Sequence, residues 1–270
     1  MMFLRIALSA VIVCPLFAQG VKIAYDPVSA DVVTARLKLN PSSNGDRAAA
    51  LRKLFEEAGC TGAKLSDQAV AGAKQPNVIC TFGGAGSTIV VGAHFDTPEI
   101  GSGVVENWSG ASLLPSLYQS LQGAQRKHKF VLIGFTDRER GRRGSAFYVK
   151  SLGGEQAKVK AMIDIEKLGL TPTKIQMQGC DKGLSVKLAG IAKAVNLPVT
   201  GADNLAVGES DARSFQSANI PVISIHSVAG DARKIPGTKA DLFMAIHMTE
   251  YYDSYRLIAA YLAYLDETLD

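Results

Sequence analysis

Short apolar segments alternate with amphipathic helical segments along most of this chain, and this alternation is the feature that most limits its fold. The apolar segments have few polar interruptions, which is typical of strands buried on both faces. We predict strands at Asn77–Phe82, Thr88–Val91, Phe130–Phe135, Ala161–Ile165 and Val222–His226, and helices at Ala48–Ala58, Ser109–Leu121, Gly144–Ser151, Leu184–Val195 and Glu250–Leu265. This βα succession predicts an α/β fold, a three-layer αβα sandwich around a mainly parallel central sheet.

The bulk properties of the chain indicate one large globular domain and narrow the choice of partner. It has 270 residues, of which 47% are hydrophobic and 20% are charged, so it can bury a substantial core. Its formal net charge is +4, with Lys and Arg spread along the whole length. Because the sequence has no basic stripe or arm, we expect neither a nucleic-acid partner nor attraction to a membrane surface.

The first twenty residues have the layout of a secretory signal peptide. Arg5 is followed by a short apolar run that ends in small residues, and cleavage is expected after Ala18 or Gly20. A buried first strand or helix is the alternative. The run is too short for a membrane span. We therefore predict a signal peptide at residues 1–20, a single domain at residues 21–270, and a secreted or periplasmic protein with no membrane attachment after cleavage.

The four cysteines favour a disulfide framework over a thiolate metal site. Cys14 would leave with the signal peptide, so Cys60, Cys80 and Cys180 remain in a compartment that permits disulfides. Cys60 ends a predicted helix and Cys80 lies in the next strand, so the two could form a bridge or remain ordinary buried thiols. No CxxC or CxH spacing supports a metal site built on cysteine.

Two familiar active-site motifs are absent from the sequence. The Gly-rich stretch 83–87 precedes a strand, whereas a dinucleotide-binding fingerprint places its glycines between a strand and a helix. No GxSxG elbow is present, so Ser210 in ESDARSF is not expected to be a serine-hydrolase nucleophile. With Asp211 it would instead line the cleft or cap a helix.

Polar residues follow three of the predicted strands, where ligands bind in open α/β sheets. These groups are His94 with Asp96, Asp137–Glu139 and Asp164–Glu166, while Glu106 and Asn107 precede a helix. Each group alone could be a helix cap or a solvated loop charge. Together, one His and several carboxylates describe a site for a hard or borderline divalent metal, with zinc as the natural candidate.

Five stretches of the sequence resemble the successive motifs of the co-catalytic zinc aminopeptidases, peptidase family M28. They are VVGAHFDTPEIGSGVVENWSGASLL, FTDRERGRRGSAFYV, AMIDIEKLGL, ESDARSF and IPGTKAD, and the resemblance extends from about Phe55 to the C-terminus. It implies the α/β fold of zinc-dependent exopeptidases. Glutaminyl cyclases share that scaffold with a single-zinc site.

The resemblance implies a role for each polar residue of the site. His94 matches a ligand of the first zinc, and Asp96 matches the residue that orients this imidazole. Glu106 falls where the family has the carboxylate that bridges two metals, Glu139 matches a ligand of the second zinc, and Glu166 a ligand of the first. Trp108 and Asp211 would lie at the cleft, Trp108 mainly as a packing residue.

Two positions depart from the family pattern in ways that affect catalysis. Arg138 stands at the position of the general base, and a guanidinium cannot accept a proton from metal-bound water. Gly237 stands at the position of the final zinc-binding His, so one zinc ion is expected in preference to two. His226 and His247 are the remaining imidazoles that could substitute for it.

These departures lead to three functional hypotheses. The first is a secreted aminopeptidase-like protein with impaired or absent hydrolysis. The second is a non-catalytic homologue that binds a peptide or another partner, and the third is a single-zinc enzyme of the glutaminyl-cyclase type. The ligand would be a peptide or a small molecule in each case. A metal-free variant is also open, in which Arg138 supplies the positive charge that the clustered carboxylates need.

Overall fold

The computed structural model describes residues 21–203 and 210–270, so the predicted signal peptide lies outside the described residues. Eight strands and eight α-helices follow one another along this part of the chain. The strands are β1 (Leu65–Gln68), β2 (Asn77–Gly83), β3 (Thr88–His94), β4 (Lys129–Phe135), β5 (Val159–Ile165), β6 (Lys174–Gln176), β7 (Thr200–Ala202) and β8 (Val222–His226). The helices are α1 (Ala30–Leu39), α2 (Asn44–Glu57), α3 (Ser109–Ala111), α4 (Leu114–Leu121), α5 (Arg143–Leu152), α6 (Lys182–Ala194), α7 (Ala212–Gln216) and α8 (Met248–Thr268).

The strands form one sheet in the order β1-β2-β4-β3-β5-β8-β6-β7. The four central strands, β4, β3, β5 and β8, run parallel to one another. Antiparallel pairing occurs between β1 and β2, between β2 and β4, and between β6 and β8. The predicted α/β fold with a mainly parallel central sheet is confirmed.

Alternate residues of each central strand pack into different cores, which is why these strands are apolar throughout. In β3, Ile89 and Val91 join the larger core, which α1, α2, α4, α6 and α8 cover. Val90 points to the other face and joins the smaller core with Tyr148 of α5 and Phe215 of α7. The sheet is therefore the middle of three layers.

The helix predicted at Ser109–Leu121 is interrupted in the structure. A π-helical turn at Val104–Trp108 leads into the short α3, and α4 begins only at Leu114. Pro115 provides the physical reason, because it has no N–H and its ring collides with the carbonyl four residues earlier, that of Ala111 at the end of α3. The π-helical turn that precedes this interruption carries Glu106.

Arg47 of α2 fixes the segments next to the end of β3. Its side chain is fully buried and donates to the carbonyl oxygens of Phe95, Asp96 and Ser102. Burial lowers the pKa of this guanidinium to about 10, so it still carries a charge at neutral pH. It also lies 5.8 Å from the ring centroid of Trp108. One buried cation thus ties α2 to the loop that carries Asp96.

A disulfide joins Cys60, just beyond α2, to Cys80 of β2, with a Cα–Cα distance of 6.3 Å. Of the two alternatives left open by the sequence, the structure contains the bridge. Cys180 is a free, half-buried thiol. Among the described residues, no helix combines the length and the apolar character that a membrane span requires.

Replacing both Cys60 and Cys80 by Ala is expected to lower the free energy of unfolding by about 3 kcal/mol, because the bridge closes a loop with a sequence separation of 20. Urea denaturation measures this difference. The Cys180→Ala variant is the matched control and should unfold close to the wild-type midpoint. Equal midpoints for the wild type and the double variant would show that the bridge contributes nothing.

Candidate functional site

A cleft of about 650 Å³ opens at the carboxyl ends of the central strands. The parallel strands β4, β3, β5 and β8 end side by side, so the segments that follow them meet at one edge of the sheet. The cleft is lined by Asn44, Asp96, Thr97, Pro98, Glu99, Ile100, Glu106, Asp137, Glu139, Arg140, Lys167, Val228, Arg233, Pro236 and Gly237. Most of the polar groups singled out in the sequence therefore lie in or beside this cleft.

His94 ends β3 below the cleft, with only 1% of its surface exposed. Its Nε2 lies 3.1 Å from the carbonyl oxygen of Glu106, and its Nδ1 lies 3.3 Å from Oδ2 of Asp211. Burial alone would lower the pKa of His94, but the neighbouring carboxylates of Asp211 and Glu166 outweigh it and raise the pKa to about 9. Both ring nitrogens face oxygen atoms of the protein, which suits an imidazolium.

The orienting contact expected from Asp96 is made by Asp211 in this structure. Asp96 is buried, and its Oδ2 accepts a 2.9 Å hydrogen bond from the backbone N–H of Glu139. Burial raises the pKa of Asp96 to about 6. Because this carboxylate is engaged by the loop after β4, it links the ends of two neighbouring strands. Asp211 is fully buried beneath His94, so it supports the site from below and does not line the cleft.

Glu106 is presented to the cleft by the π-helical turn, and Asp241 anchors that turn. Oδ1 of Asp241 accepts the N–H of Val105 at 2.7 Å, and Oδ2 accepts the N–H of Glu106 at 3.1 Å. The same Oδ2 accepts the N–H of Gly237 at 3.2 Å. Through these hydrogen bonds, Asp241 joins the two segments that carry Glu106 and Gly237. Its side chain is fully buried. The sequence alone assigned no role to Asp241.

Arg138 lies between two of the carboxylates. Its Nη1 is 2.9 Å from Oε1 of Glu139 and 3.2 Å from Oε1 of Glu106. Burial alone would lower its pKa, but Glu166, Glu106 and Glu139 together raise the pKa above its usual range. The guanidinium is thus held in its charged form against carboxylates.

Lys167 is a site residue that the sequence reasoning missed. Its Nζ lies 2.5 Å from Oε2 of Glu166 and 3.2 Å from Oε1 of Glu106, and its side chain is only 11% exposed. In an extended strand, Glu166 and Lys167 would point to opposite sides. Lys167 instead has a φ of +51°, in the left-handed region, which turns its side chain toward the same cluster. Neither Glu166 nor Lys167 is a residue type that indicates such a turn in the sequence.

Glu166 is almost completely buried, and only one of its two carboxylate oxygens has a partner in the part of the chain that the structure describes. Oε2 pairs with Lys167, whereas Oε1 has no hydrogen-bond partner among the described residues. Burial alone would raise its pKa, but Lys167, His94 and Arg138 lower the pKa to about 2. Glu166 is therefore ionised, and its charge is balanced by side chains of the protein.

Asp164, two residues before Glu166, is the hydrogen-bond partner of Ser210. Its Oδ2 accepts hydrogen bonds from the hydroxyl groups of Ser210 and Ser224. Burial and the nearby charges of Glu166 and Asp211 raise the pKa of Asp164 to about 7. The Ser210 hydroxyl is thus engaged as a hydrogen-bond donor to a buried carboxyl group.

The remaining predicted positions lie in and around the cleft as follows. Gly237 lines it with a φ of +68°, and a Cβ at this position would lie 3.8 Å from Oε2 of Glu106. Position 237 thus faces the carboxylates, although glycine offers them no ligand. Trp108 is not a cleft residue: it is fully buried and its indole N–H donates to the carbonyl of Arg36. The reason is that the π-helical turn directs this ring into the core.

Neither remaining imidazole replaces the missing His. His226 is fully buried, and its Nδ1 accepts the N–H of Val228 at 3.1 Å. Burial lowers its pKa to about 4, so it is neutral. His247 precedes α8 and lines a different surface depression, beside Leu170.

The arrangement of these side chains does not fit a bound zinc ion. Within residues 21–203 and 210–270, no group of three or more His, Cys, Asp or Glu side chains is arranged to hold a metal ion. The physical reason is that both nitrogens of His94 face protein oxygens, while Arg138 and Lys167 contact the carboxylates.

Known proteins provide an independent comparison for the fold and family. The chain is 26% identical over 183 residues to leupeptin-inactivating enzyme 1 of Streptomyces exfoliatus, a match that covers 64% of this chain and 42% of that protein. The chain thus spans less than half the length of this curated relative.

Solved structures resemble the fold at low sequence identity. The LapA aminopeptidase of Legionella pneumophila superposes with a TM-score of 0.80 at 20% identity, covering 90% of this chain and 73% of LapA. The glutaminyl cyclase of Fimbriiglobus ruber gives a TM-score of 0.70 at 14% identity, with coverages of 91% and 99%. The zinc aminopeptidase of Bacillus subtilis gives 0.65 at 17% identity, covering 73% of this chain and 51% of that protein. At these identities the comparison shows a similar fold only. Zinc belongs to the Bacillus subtilis enzyme that was compared.

The sequence profile described as peptidase family M28 matches residues 77–262, from β2 to the middle of α8. This match includes the strand ends, the π-helical turn and the segment that carries Gly237. Since it extends over most of the chain and agrees with the fold, the chain belongs to peptidase family M28.

Proposed function

We propose that this chain is a member of peptidase family M28 that binds peptides in its cleft and whose hydrolytic activity is impaired or absent. The observation that carries the proposal is the position of Arg138, whose Nη1 contacts both Glu106 and Glu139. The family places its general base at this residue, and here a charged guanidinium stands in its place.

The chemistry of peptide hydrolysis explains why this substitution matters. A general base must accept a proton from the attacking water, and a guanidinium held charged by carboxylates cannot do so. Removal of a general base commonly lowers a rate by ~10² to 10⁴-fold. Gly237 adds to the deficit because it offers no ligand beside Glu106. The scaffold is retained while two of its hydrolytic groups are lost.

The cleft itself retains what peptide binding requires. Its walls combine apolar groups, namely Ile100, Val228 and Pro236, with charged groups of both signs. Ile100 is 53% exposed and is thus available to pack against a ligand side chain. A mixed lining of this kind suits a peptide, which presents both polar backbone and apolar side chains.

The single-zinc alternative receives less support. It would need His94, Glu106 and Glu166 as ligands. Both nitrogens of His94 face protein oxygens, and Lys167 contacts the other two side chains.

We also propose export to the periplasm or the outside of the cell. The predicted signal peptide supports this proposal, and so does the Cys60–Cys80 bridge, because disulfides persist mainly in oxidising compartments. N-terminal sequencing of the protein recovered from a secreting host is expected to start near Val21. Recovery from that host with Met1 still present would contradict export.

Wild-type protein supplied with ZnCl₂ is expected to hydrolyse aminoacyl anilides no faster than the Glu106→Gln variant, since Arg138 leaves no base whose action the variant could disturb. Initial rates over a range of protein concentrations provide the measurement. The Lys53→Met variant, changed at an exposed residue of α2, is the matched preparation control. Turnover by the wild type that Glu106→Gln abolishes would overturn the proposal.

Ile100→Asp is expected to weaken peptide binding about fivefold, because the change removes an apolar contact worth ~1 kcal/mol at the cleft wall. Titration of a mixed tetrapeptide pool, followed by saturation-transfer NMR, measures the change. Met244→Asp is the matched control, because Met244 is 85% exposed and does not line the cleft. Equal signals from the wild type and Ile100→Asp would place the bound peptides elsewhere.

A further inference from the structure

We infer that Arg138 and Lys167 are the resident cations of this centre, each taking the place of one metal ion, so that the chain assembles the centre without a divalent cation. The inference rests on the proposed function, in which no hydrolytic metal is required. It extends that function by assigning a role to Lys167, which the family pattern leaves unassigned.

Arg138 lies where the resemblance would put the second metal. The two carboxylates assigned to that metal are Glu106 and Glu139, and Nη1 of Arg138 contacts Oε1 of both, at 3.2 and 2.9 Å. Gly237 offers no side chain at the position of the family's remaining ligand for that metal. A guanidinium that joins these two carboxylates supplies the positive charge that a metal would have given them.

Lys167 contacts both carboxylates that the resemblance assigns to the first metal. Glu106 and Glu166 are the carboxylates assigned to that metal, and Nζ of Lys167 is 3.2 Å from Oε1 of Glu106 and 2.5 Å from Oε2 of Glu166. Oε1 of Glu106 therefore forms ion pairs with both Lys167 and Arg138. This carboxylate bridges an ammonium and a guanidinium, as the family carboxylate bridges two metals.

The charges of the cluster require such cations. Glu106 is 7% exposed and Glu166 is 1% exposed, so water can compensate only a small part of their negative charges. Without a cation, the two carboxylates and Glu139 would repel one another at the end of the sheet. The two side-chain cations remove most of this repulsion, and both belong to the folded chain.

The backbone of Lys167 supports a specific role for its side chain. A non-glycine residue at a φ of +51° adopts a costly conformation, which persists only where the surrounding contacts stabilise it. The contacts of Nζ with Glu106 and Glu166 are such contacts. They require the left-handed turn, because an extended backbone would direct Lys167 away from Glu166.

A metal ion and the Lys167 ammonium exclude each other at this position. Zinc binds carboxylate oxygens at about 2.0–2.2 Å, so an ion held by Glu106 and Glu166 would lie within a few ångströms of Nζ, which contacts one oxygen of each. Two positive charges that close repel each other, so zinc binding requires Lys167 to leave the cluster. The inference thus predicts that divalent cations do not change the stability of the wild type. They should stabilise a variant that lacks the Lys167 ammonium.

The test measures zinc content and thermal unfolding of the full chain in EDTA and in ZnCl₂. The wild type is expected to carry substoichiometric zinc and to have the same Tm in both buffers. Lys167→Met should unfold about 5 °C lower than the wild type in EDTA, because it leaves Glu166 unpaired, and should regain stability in ZnCl₂. Lys167→Arg keeps the positive charge, so its Tm should be the same in EDTA and in ZnCl₂. The Tm of the surface control Lys53→Met should also be the same in both buffers.

A second variant keeps the test decisive if Lys167→Met fails to fold. The double variant Glu166→Gln, Lys167→Met removes both charges together, so it should be more stable than Lys167→Met alone. Stoichiometric zinc in the wild type, or a Tm of Lys167→Met in EDTA equal to that of the wild type, would overturn the inference. So would a double variant no more stable than the single one.

The two proposals fail in different ways. Zinc bound by a wild type that does not hydrolyse anilides overturns the resident-cation inference and leaves the non-hydrolytic function in place. Zinc-independent hydrolysis by the wild type overturns the non-hydrolytic function, whereas the zinc and Tm measurements still decide the role of Lys167.

Discussion

The need to balance buried negative charge governs this site more than any other constraint. Strand ends that converge at one edge of a parallel sheet bring Glu106, Glu139 and Glu166 close together. Such a cluster is stable only with positive charge among its members. A bound metal and a set of basic side chains are two solutions to the same electrostatic problem, and the contacts of Arg138 and Lys167 belong to the second kind.

Much of the fold followed from sequence because the central strands are apolar on both faces. The strands that escaped prediction, β1, β6 and β7, have three or four residues each, too few to show a periodic pattern. The interruption after Ala111 was readable in principle from Pro115, but its consequence depends on how the π-helical turn packs. The rule that ligands bind at the ends of parallel strands likewise predicted that His94, Glu139 and Glu166 lie close together.

What sequence reasoning could not supply were contacts set by tertiary structure. Asp211 reaches His94 from a segment more than a hundred positions away, while the nearer Asp96 is taken by a backbone N–H. Lys167 escaped notice because the expected strand geometry directs it elsewhere, and only its left-handed backbone reverses that direction. Local patterns identify which residues reach a site, whereas pairings within the site depend on single dihedral angles and on competing donors.

Asp241 has a consequence that reaches beyond its hydrogen bonds. It holds the backbone of Glu106 and of Gly237 through N–H groups alone, so the shape of the cleft mouth does not depend on which side chains project into it. The hydrogen bonds that hold these two backbone positions therefore do not depend on which side chain stands at position 106 or 237. Reactive side chains at these positions can therefore differ while the backbone around them keeps its shape. A shared fold is accordingly weak evidence for a shared reaction.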